Sequence, residues 1–311
     1  MAIPDFMVVG TQKAGTTWLF ECLNEHPEVF VPDLKEVHYF CPPERCRFSR
    51  AAKGESWYRD LYADAPSAAA RGDMTTDYMY LSGVAKALYR FNPGLKIIFL
   101  LREPVERAYS QYWMRRRQTP GMQDFRSHLA ENPNLVERGL YFRQIARYLE
   151  FFPPEQCRIW IYEEAVANPA AFFADLCRFI GVADNFRPKS LSQRIGETKV
   201  LDPRLGSLFY RVGSPIINLP VVLPIWRFLR NNTRVKEIIF GTRPGTGSSY
   251  EPIGRAERDE AAKIFADENL KLFGLLGRDI PAWRHGATLG HAADGTVSDA
   301  VPFEPPLEAS A

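Results

Sequence analysis

Apolar runs of strand length alternate along this chain with stretches of helical period, the pattern of βα units wound about a parallel sheet. "FMVV" (6–9), "KIIFLL" (96–101) and "RIWIYE" (158–163) are the best strand candidates, each read as covered on both faces. Helices are expected over 16–25, stopped before Pro27; over 82–91, with Ser82 as cap and "NPG" as terminator; and over 104–117, opened by Pro104. Further helices fit 139–152, 169–180 and 256–276. The expected fold class is therefore α/β: a central parallel sheet flanked by helices, in a three-layer, P-loop-like arrangement.

Between about 200 and 250 the pattern changes. "VGSPIINLPVVLPIW" is apolar but broken by three prolines, too short and too interrupted to span a bilayer. After Trp283 the chain turns to Gly, Ala, Asp and Pro, the composition of a poorly ordered tail (284–311). Residues 1–283 read as one domain carrying an insert at about 200–250, and no internal repeat is visible.

Composition narrows the function. With 46% hydrophobic residues, 311 residues can bury one large core. The 39 basic and 37 acidic side chains leave a formal charge of only +2, so no whole-molecule field favours nucleic acid and any anion site must be local. The five cysteines lack paired CxxC spacing and read as buried thiols, a Cys41–Cys46 disulfide being the lesser option. "MAIPDFMVVG" runs straight into the first strand without the basic segment and apolar core of a leader, so a cytoplasmic protein is expected.

Two segments carry candidate chemistry. In "GTQKAGTTWLF", from residue 10, Gly10 and Gly15 have the separation of a phosphate-binding loop, but Thr16 stands where that pattern asks for lysine and the loop's lysine is Lys13. A strand, a glycine-bearing turn and a helix start aim several N–H groups and a positive dipole end at one point, which suits an anion. Thr16 and Thr17 add hydroxyls and Lys13 a point charge. The bland reading is a plain strand-to-helix connection. In "IIFLLREPVERAYSQYW", Arg102 leaves a strand and Ser110 follows inside the next helix, a pair suited to a second phosphate. Its bland reading is a salt bridge from Arg102 to Glu103 or Glu106. Two anion sites at the carboxyl ends of sheet strands imply a ligand with phosphates at two separate ends.

The segments "TQKAGTTWLFECLNEHPEVF", "KEVHYF" and "LLREPVERAYSQYW" together resemble the signatures of sulfotransferases that use 3′-phosphoadenosine 5′-phosphosulfate, above all the heparan sulfate N- and 3-O-sulfotransferase branch and its bacterial relatives. The likeness covers about residues 5–185, with a weaker echo in "ENLKLFGLLGRDIPAW" (268–283). It implies that Lys13, Ala14, Gly15, Thr16, Thr17 and Trp18 grip the 5′-phosphosulfate, that Arg102 and Ser110 grip the 3′-phosphate, and that 3′-phosphoadenosine 5′-phosphate is the product. Sulfuryl transfer builds charge on the oxygen leaving with the 5′-phosphate, and Lys13 is the candidate cation there. The same likeness makes Glu36 the general base, with His38 beside it. The alternation of "KEVHYF" suggests an extended segment in which both project to one side.

The chain also departs from the pattern. "GDMTTDY" (72–78) puts Met74 where family members often carry a lysine, which argues against a second catalytic cation there and turns attention to Asp77 and Tyr78 as acceptor-facing. "RIGETKV" (194–200) is a loose match to the adenine loop and nominates Ile195, Gly196 and Lys199. Arg115, Arg116 and Arg117 point in three directions on a helix and read as a solvated face. No obligatory metal is expected, because a sulfuryl group carries less charge than a terminal phosphoryl group. The resemblance implies a carbohydrate hydroxyl or amine as acceptor. The apolar stretch at about 208–230 keeps a lipid or other small-molecule acceptor open, with peripheral membrane contact, beside the plain reading of core cover. A P-loop kinase would want Mg²⁺ and lysine at position 16; a non-catalytic binding module would be expected to lose Lys13 or Glu36.

Overall fold

A computed structural model of the chain describes residues 3–66, 70–117, 119, 121–192 and 250–283. Contacts separate 1–193 with 253–311 from 194–252, and the first of these units is the subject here. The expected insert, the adenine-loop residues Ile195, Gly196 and Lys199, and the tail at 284–311 lie outside the described residues.

Five strands form one sheet: β1 (Phe6–Gly10), β2 (Val29–Phe30), β3 (Ala70–Met74), β4 (Lys96–Leu101) and β5 (Cys157–Ile161), in the order β2-β3-β1-β4-β5. Every pairing is parallel. Helices α1 (Thr16–Glu25), α2 (Gly54–Asp60), α3 (Asp77–Tyr80), α4 (Val84–Phe91), α5 (Pro104–Arg116), α6 (Phe125–Glu131), α7 (Pro133–Glu137), α8 (Tyr141–Leu149), α9 (Tyr162–Ala167), α10 (Pro169–Ile180) and α11 (Arg255–Leu276) make the connections and the flanking layers. The expected α/β class is what the chain adopts. No helix among the described residues is long and apolar enough to cross a membrane.

The elements follow from local chemistry where that chemistry is strong. β1 is buried throughout and β4 in all but Lys96, as strands covered on both faces must be. α5 opens with Pro104, and Glu103 caps it by accepting from the N–H groups of Val105 and Glu106. α4 starts at Val84, not at a Ser82 cap: Gly83 takes a left-handed φ of 85° before it, and the Ser82 hydroxyl accepts from Arg45 instead. β5 stops at Ile161, and Tyr162 and Glu163, expected in the strand, open α9. α11 docks along α8 through Glu268, whose carboxylate accepts from the Arg143 backbone N–H and guanidinium at 2.8–3.2 Å.

β3, "ARGDM", has no apolar run, yet it is an inner strand. Two residues explain how. Gly72 lies opposite Phe6 of β1, and a Cβ there would fall 2.2 Å from the Phe6 ring. Asp73, fully buried, accepts from Thr75 Oγ1 at 2.7 Å, Tyr58 Oη at 2.9 Å and Tyr78 Oη at 3.2 Å. A charged side chain is tolerated in an inner strand because hydroxyls replace its water. Gly72→Ala should therefore destabilise the fold by about 1–3 kcal/mol, the usual cost of forcing extra volume into a packed core, read as a lower urea midpoint at unchanged slope. An unchanged midpoint would mean that Phe6 can move aside.

Candidate active site

Gly10 ends β1 at its carboxyl edge, and the chain turns through Lys13 (φ 73°) and Gly15 (φ 82°), both left-handed, before α1 begins at Thr16. Gly15 leaves no choice of residue: its φ disfavours a side chain, and a Cβ would meet the Tyr162 ring at 2.6 Å. Lys13 holds a conformation uncommon outside glycine, and Arg102 donates to its carbonyl at 3.2 Å. No side chain caps α1, which leaves its amino end to an anion. Ala14 and Thr16 are buried at the base of the turn, as is Trp18, whose indole N–H donates to the Ser190 carbonyl at 3.1 Å while its ring stacks on Phe172. Thr17 is exposed, and its hydroxyl accepts from Lys35 Nζ at 3.1 Å. Burial, reinforced by Arg102, Arg117 and Lys35, lowers the Lys13 pKa to about 8.

The salt-bridge reading of Arg102 holds, and the loop is within its reach as well. Its guanidinium bonds Glu106 at 3.2 Å, as the bland reading expected, and also reaches the loop carbonyl of Lys13 and covers the Tyr162 ring. Ser110 lies two turns into α5, buried. Arg102 and the loop share the carboxyl end of the β1–β4 pair, and Ser110 lies on the helix that leaves it. Of the arginine run, Arg116 lies over Tyr112 and Trp113, whereas Arg117 is near enough to help depress Lys13.

The segment at 35–38 is not extended. Glu36 and His38 both adopt left-handed φ, 61° and 55°, so the chain folds back instead of running as a strand. Tertiary bonds hold this shape: the Glu36 N–H donates to the Met74 carbonyl at 3.1 Å, the His38 N–H to Thr75 Oγ1 at 3.3 Å, and Arg50 to the carbonyls of Glu36 and Val37 at 3.1 and 3.0 Å. Val37 is buried against Tyr58 and Tyr62. The two candidate residues consequently diverge. The Glu36 carboxylate accepts from the Thr76 N–H at 2.7 Å and from its hydroxyl at 3.1 Å, with Lys35 Nζ at 3.6 Å. Burial raises its pKa against the opposing pull of Lys35 and Thr76. His38 turns the other way, its Nδ1 3.6 Å from Asp77 Oδ2, and burial lowers its pKa, so it is neutral at pH 7.

Asp77 pairs with Arg138 at 2.7 Å and lines a pocket of about 150 Å³ with Arg45, Arg47, Phe48 and Arg138. Tyr78 does not face that space. It is fully buried, donating to Asp73 and accepting from the Phe40 N–H at 3.3 Å, because α3 turns its ring under the sheet end. Met74, which stands where family members often carry a lysine, is buried too. A cation does stand nearby in Lys35, which bridges Thr17 of the loop and Glu36. The sequence contained its signal, a lysine immediately before the base candidate, but not the fold that carries it across to the loop.

The sulfotransferase-domain family model matches residues 3–197, more than half of the chain. The chain belongs to the sulfotransferase family. It is 32% identical over 161 residues to the membrane-associated sulfotransferase kil1 of Dictyostelium discoideum, covering 49% of this chain and 32% of that one. It is 29% identical over 188 residues to human heparan sulfate glucosamine 3-O-sulfotransferase 6, covering 58% and 52% respectively. The match thus spans about half or less of these relatives' own length. The solved structure of a sulfotransferase from Alicyclobacillus acidocaldarius superposes with a TM-score of 0.67 at 25% identity, over 91% of this chain and 99% of that one.

In this sulfotransferase domain the Lys13 pKa has a measurable consequence. An anion held beside Lys13 would favour the charged amine and so couple its own binding to protonation of Lys13. Affinity for 3′-phosphoadenosine 5′-phosphate, measured by calorimetry, should be flat in the pH unit below about 8 and fall by about tenfold per unit above it, and Lys13→Met should flatten the profile. A flat wild-type profile to pH 10 would place Lys13 away from the bound anion.

Proposed function

We propose that this domain moves the sulfuryl group from 3′-phosphoadenosine 5′-phosphosulfate to a hydroxyl or amine of an acceptor by in-line displacement. The observation that carries the reading is Lys35, whose Nζ lies 3.1 Å from Thr17 Oγ1 and 3.6 Å from Glu36 Oε1: one ammonium links the donor loop to the base candidate. Sulfur sits between these two groups in the proposed complex. Glu36, its pKa raised by burial and its orientation set by Thr76, takes the acceptor proton as the acceptor heteroatom bonds to sulfur. The bond from sulfur to the bridging oxygen breaks, and Lys13 with the amino end of α1 meets the charge left on the 5′-phosphate. Lys35 keeps Glu36 ionised and steadies the sulfuryl oxygens. Arg102 and Ser110 hold the 3′-phosphate, and Ile195, Gly196 and Lys199 are the candidates for the adenine. The reaction written this way calls on no metal.

The acceptor reading rests on the pocket beside Asp77, where Arg45, Arg47 and Arg138 outnumber the one carboxylate. A hydroxyl-rich acceptor bearing negative charge suits it, and the relatives named for heparan sulfate favour carbohydrate over a lipid or other small molecule. All five cysteines are free thiols, which fits a reducing compartment such as the cytoplasm.

Two measurements test this function. 3′-Phosphoadenosine 5′-phosphate should raise the melting temperature well above any shift given by ATP at the same concentration, since it alone offers anions to both sites; equal protection by ATP would sink the donor assignment. Glu36→Gln, which keeps the acceptor atom facing Thr76, should bind the same bisphosphate normally yet lose roughly 10² to 10⁴ in turnover. Near-normal turnover would remove Glu36 as the base.

A further inference from the structure

Behind the Glu36 turn, on the side away from the donor loop, three side chains with metal-binding chemistry converge. Cys41 Sγ lies 3.5 Å and Cys46 Sγ 3.9 Å from His38 Nδ1, and all three atoms lie within 4.8 Å of one another. Asp77 Oδ2 stands 3.6 Å from the same nitrogen. We propose that His38, Cys41, Cys46 and Asp77 form a structural site for a zinc-like divalent cation.

The distances among the two sulfurs and the imidazole nitrogen suit one ion. With a Zn–S bond of about 2.3 Å and a Zn–N bond of about 2.0 Å, tetrahedral geometry sets sulfur and nitrogen ligands about 3.5 Å apart. Two thiols and an imidazole select a borderline-soft metal over magnesium or calcium. The ligand atoms arise within one short loop, His-x₂-Cys-x₄-Cys, whose backbone is already closed: the Cys46 N–H donates to the Pro42 carbonyl at 3.0 Å, the Arg50 N–H to the His38 carbonyl at 3.1 Å, and Ser49 Oγ to the Cys41 carbonyl at 2.6 Å. The fourth ligand comes from α3, so an ion would tie this loop to the end of the sheet.

The charges also suit it. Two thiolates, a neutral imidazole and a carboxylate around a dication leave one net negative charge, and Arg138 lies 2.7 Å from Asp77 Oδ1 to meet it. Without a cation the Cys41 thiol is held protonated, since burial pushes its pKa far above the ordinary range. Binding breaks two S–H bonds, sends both protons to solvent and forms two metal–sulfur bonds, with no change of oxidation state. The polar contacts of the His38 ring among the described residues are made by Nδ1. The ion would fix His38 and, two residues away, the backbone of Glu36. This site is separate from the donor chemistry, and its test does not depend on sulfuryl transfer.

The full chain, purified in reductant without chelator or metal-affinity resin, should contain about one zinc ion per chain by elemental mass spectrometry. Cys41→Ser and Cys46→Ser should each lose most of it, and Cys157→Ser, a buried cysteine elsewhere, should retain it. Chelated wild-type protein, its fold checked by circular dichroism, should on Co²⁺ addition develop the intense visible bands of tetrahedral cobalt and a thiolate-to-cobalt charge-transfer band. That wild-type experiment stands even if the serine variants fail to fold. Wild-type protein that neither carries zinc nor gives the charge-transfer band would overturn the proposal. So would equal zinc in the Cys41→Ser and Cys46→Ser variants, or a Cys41–Cys46 disulfide in metal-free protein.

Discussion

The grip of Thr76 on the Glu36 carboxylate, a 2.7 Å bond from the backbone N–H with the hydroxyl beside it, is the contact on which the site depends. Thr76 lies two residues beyond β3, and β3 lies next to β1 in the sheet. Parallel neighbours are about 4.8 Å apart and end at the same edge, so anything fastened to the end of β3 faces the loop that leaves β1. The sheet order thus lets a single long-range bond set the Glu36 carboxylate against the loop.

That alignment is stiffened from below. Asp73 is fully buried, and its pKa is raised to about 6 by that burial despite three hydroxyl donors from Thr75, Tyr58 and Tyr78. An unsatisfied carboxylate in that position would cost several kcal/mol; a satisfied one makes the end of β3 intolerant of rearrangement. Thr75 uses the same hydroxyl to donate to Asp73 and to accept from the His38 N–H, so the network under the strand reaches the turn above it. Glu36 and His38 each sit in a left-handed conformation that costs a non-glycine residue about 1–2 kcal/mol, and these bonds offset that cost.

The cations are arranged with similar economy. Lys13, Lys35 and Arg102 crowd one edge, and their mutual repulsion together with burial lowers the Lys13 pKa. Such a cluster is unfavourable in the free protein and becomes favourable when a polyanion enters it. Arg102 already has Glu106 and the Lys13 carbonyl as partners, so the pocket is preshaped without a ligand. Strain and repulsion of this kind are the physical counterpart of affinity for an anion with charge at two ends.

What the sequence by itself determined were the parts whose causes are local. β1, the loop and α1 follow from an apolar run, two glycines and a proline stop; β4 and α5 follow from "KIIFLL" and the Pro104 start; and the resemblance of the segments holding Lys13, Glu36 and Arg102 to sulfotransferase signatures suggested the chemistry. Only the tertiary structure decided the rest. β3 has no apolar signature because Gly72 makes room for Phe6 and Asp73 is satisfied by tyrosines. The 35–38 segment folds back although its alternation reads as extended, because its partners are Met74, Thr75 and Thr76, about 40 positions away. The fold of this segment in turn hid the bridging place of Lys35, the turning of His38 toward Cys41, Cys46 and Asp77, and the burial of Tyr78 beneath the site it was expected to line. Periodicity and capping act over a few residues, whereas these positions are set by hydrogen bonds between segments that only the closed sheet brings together.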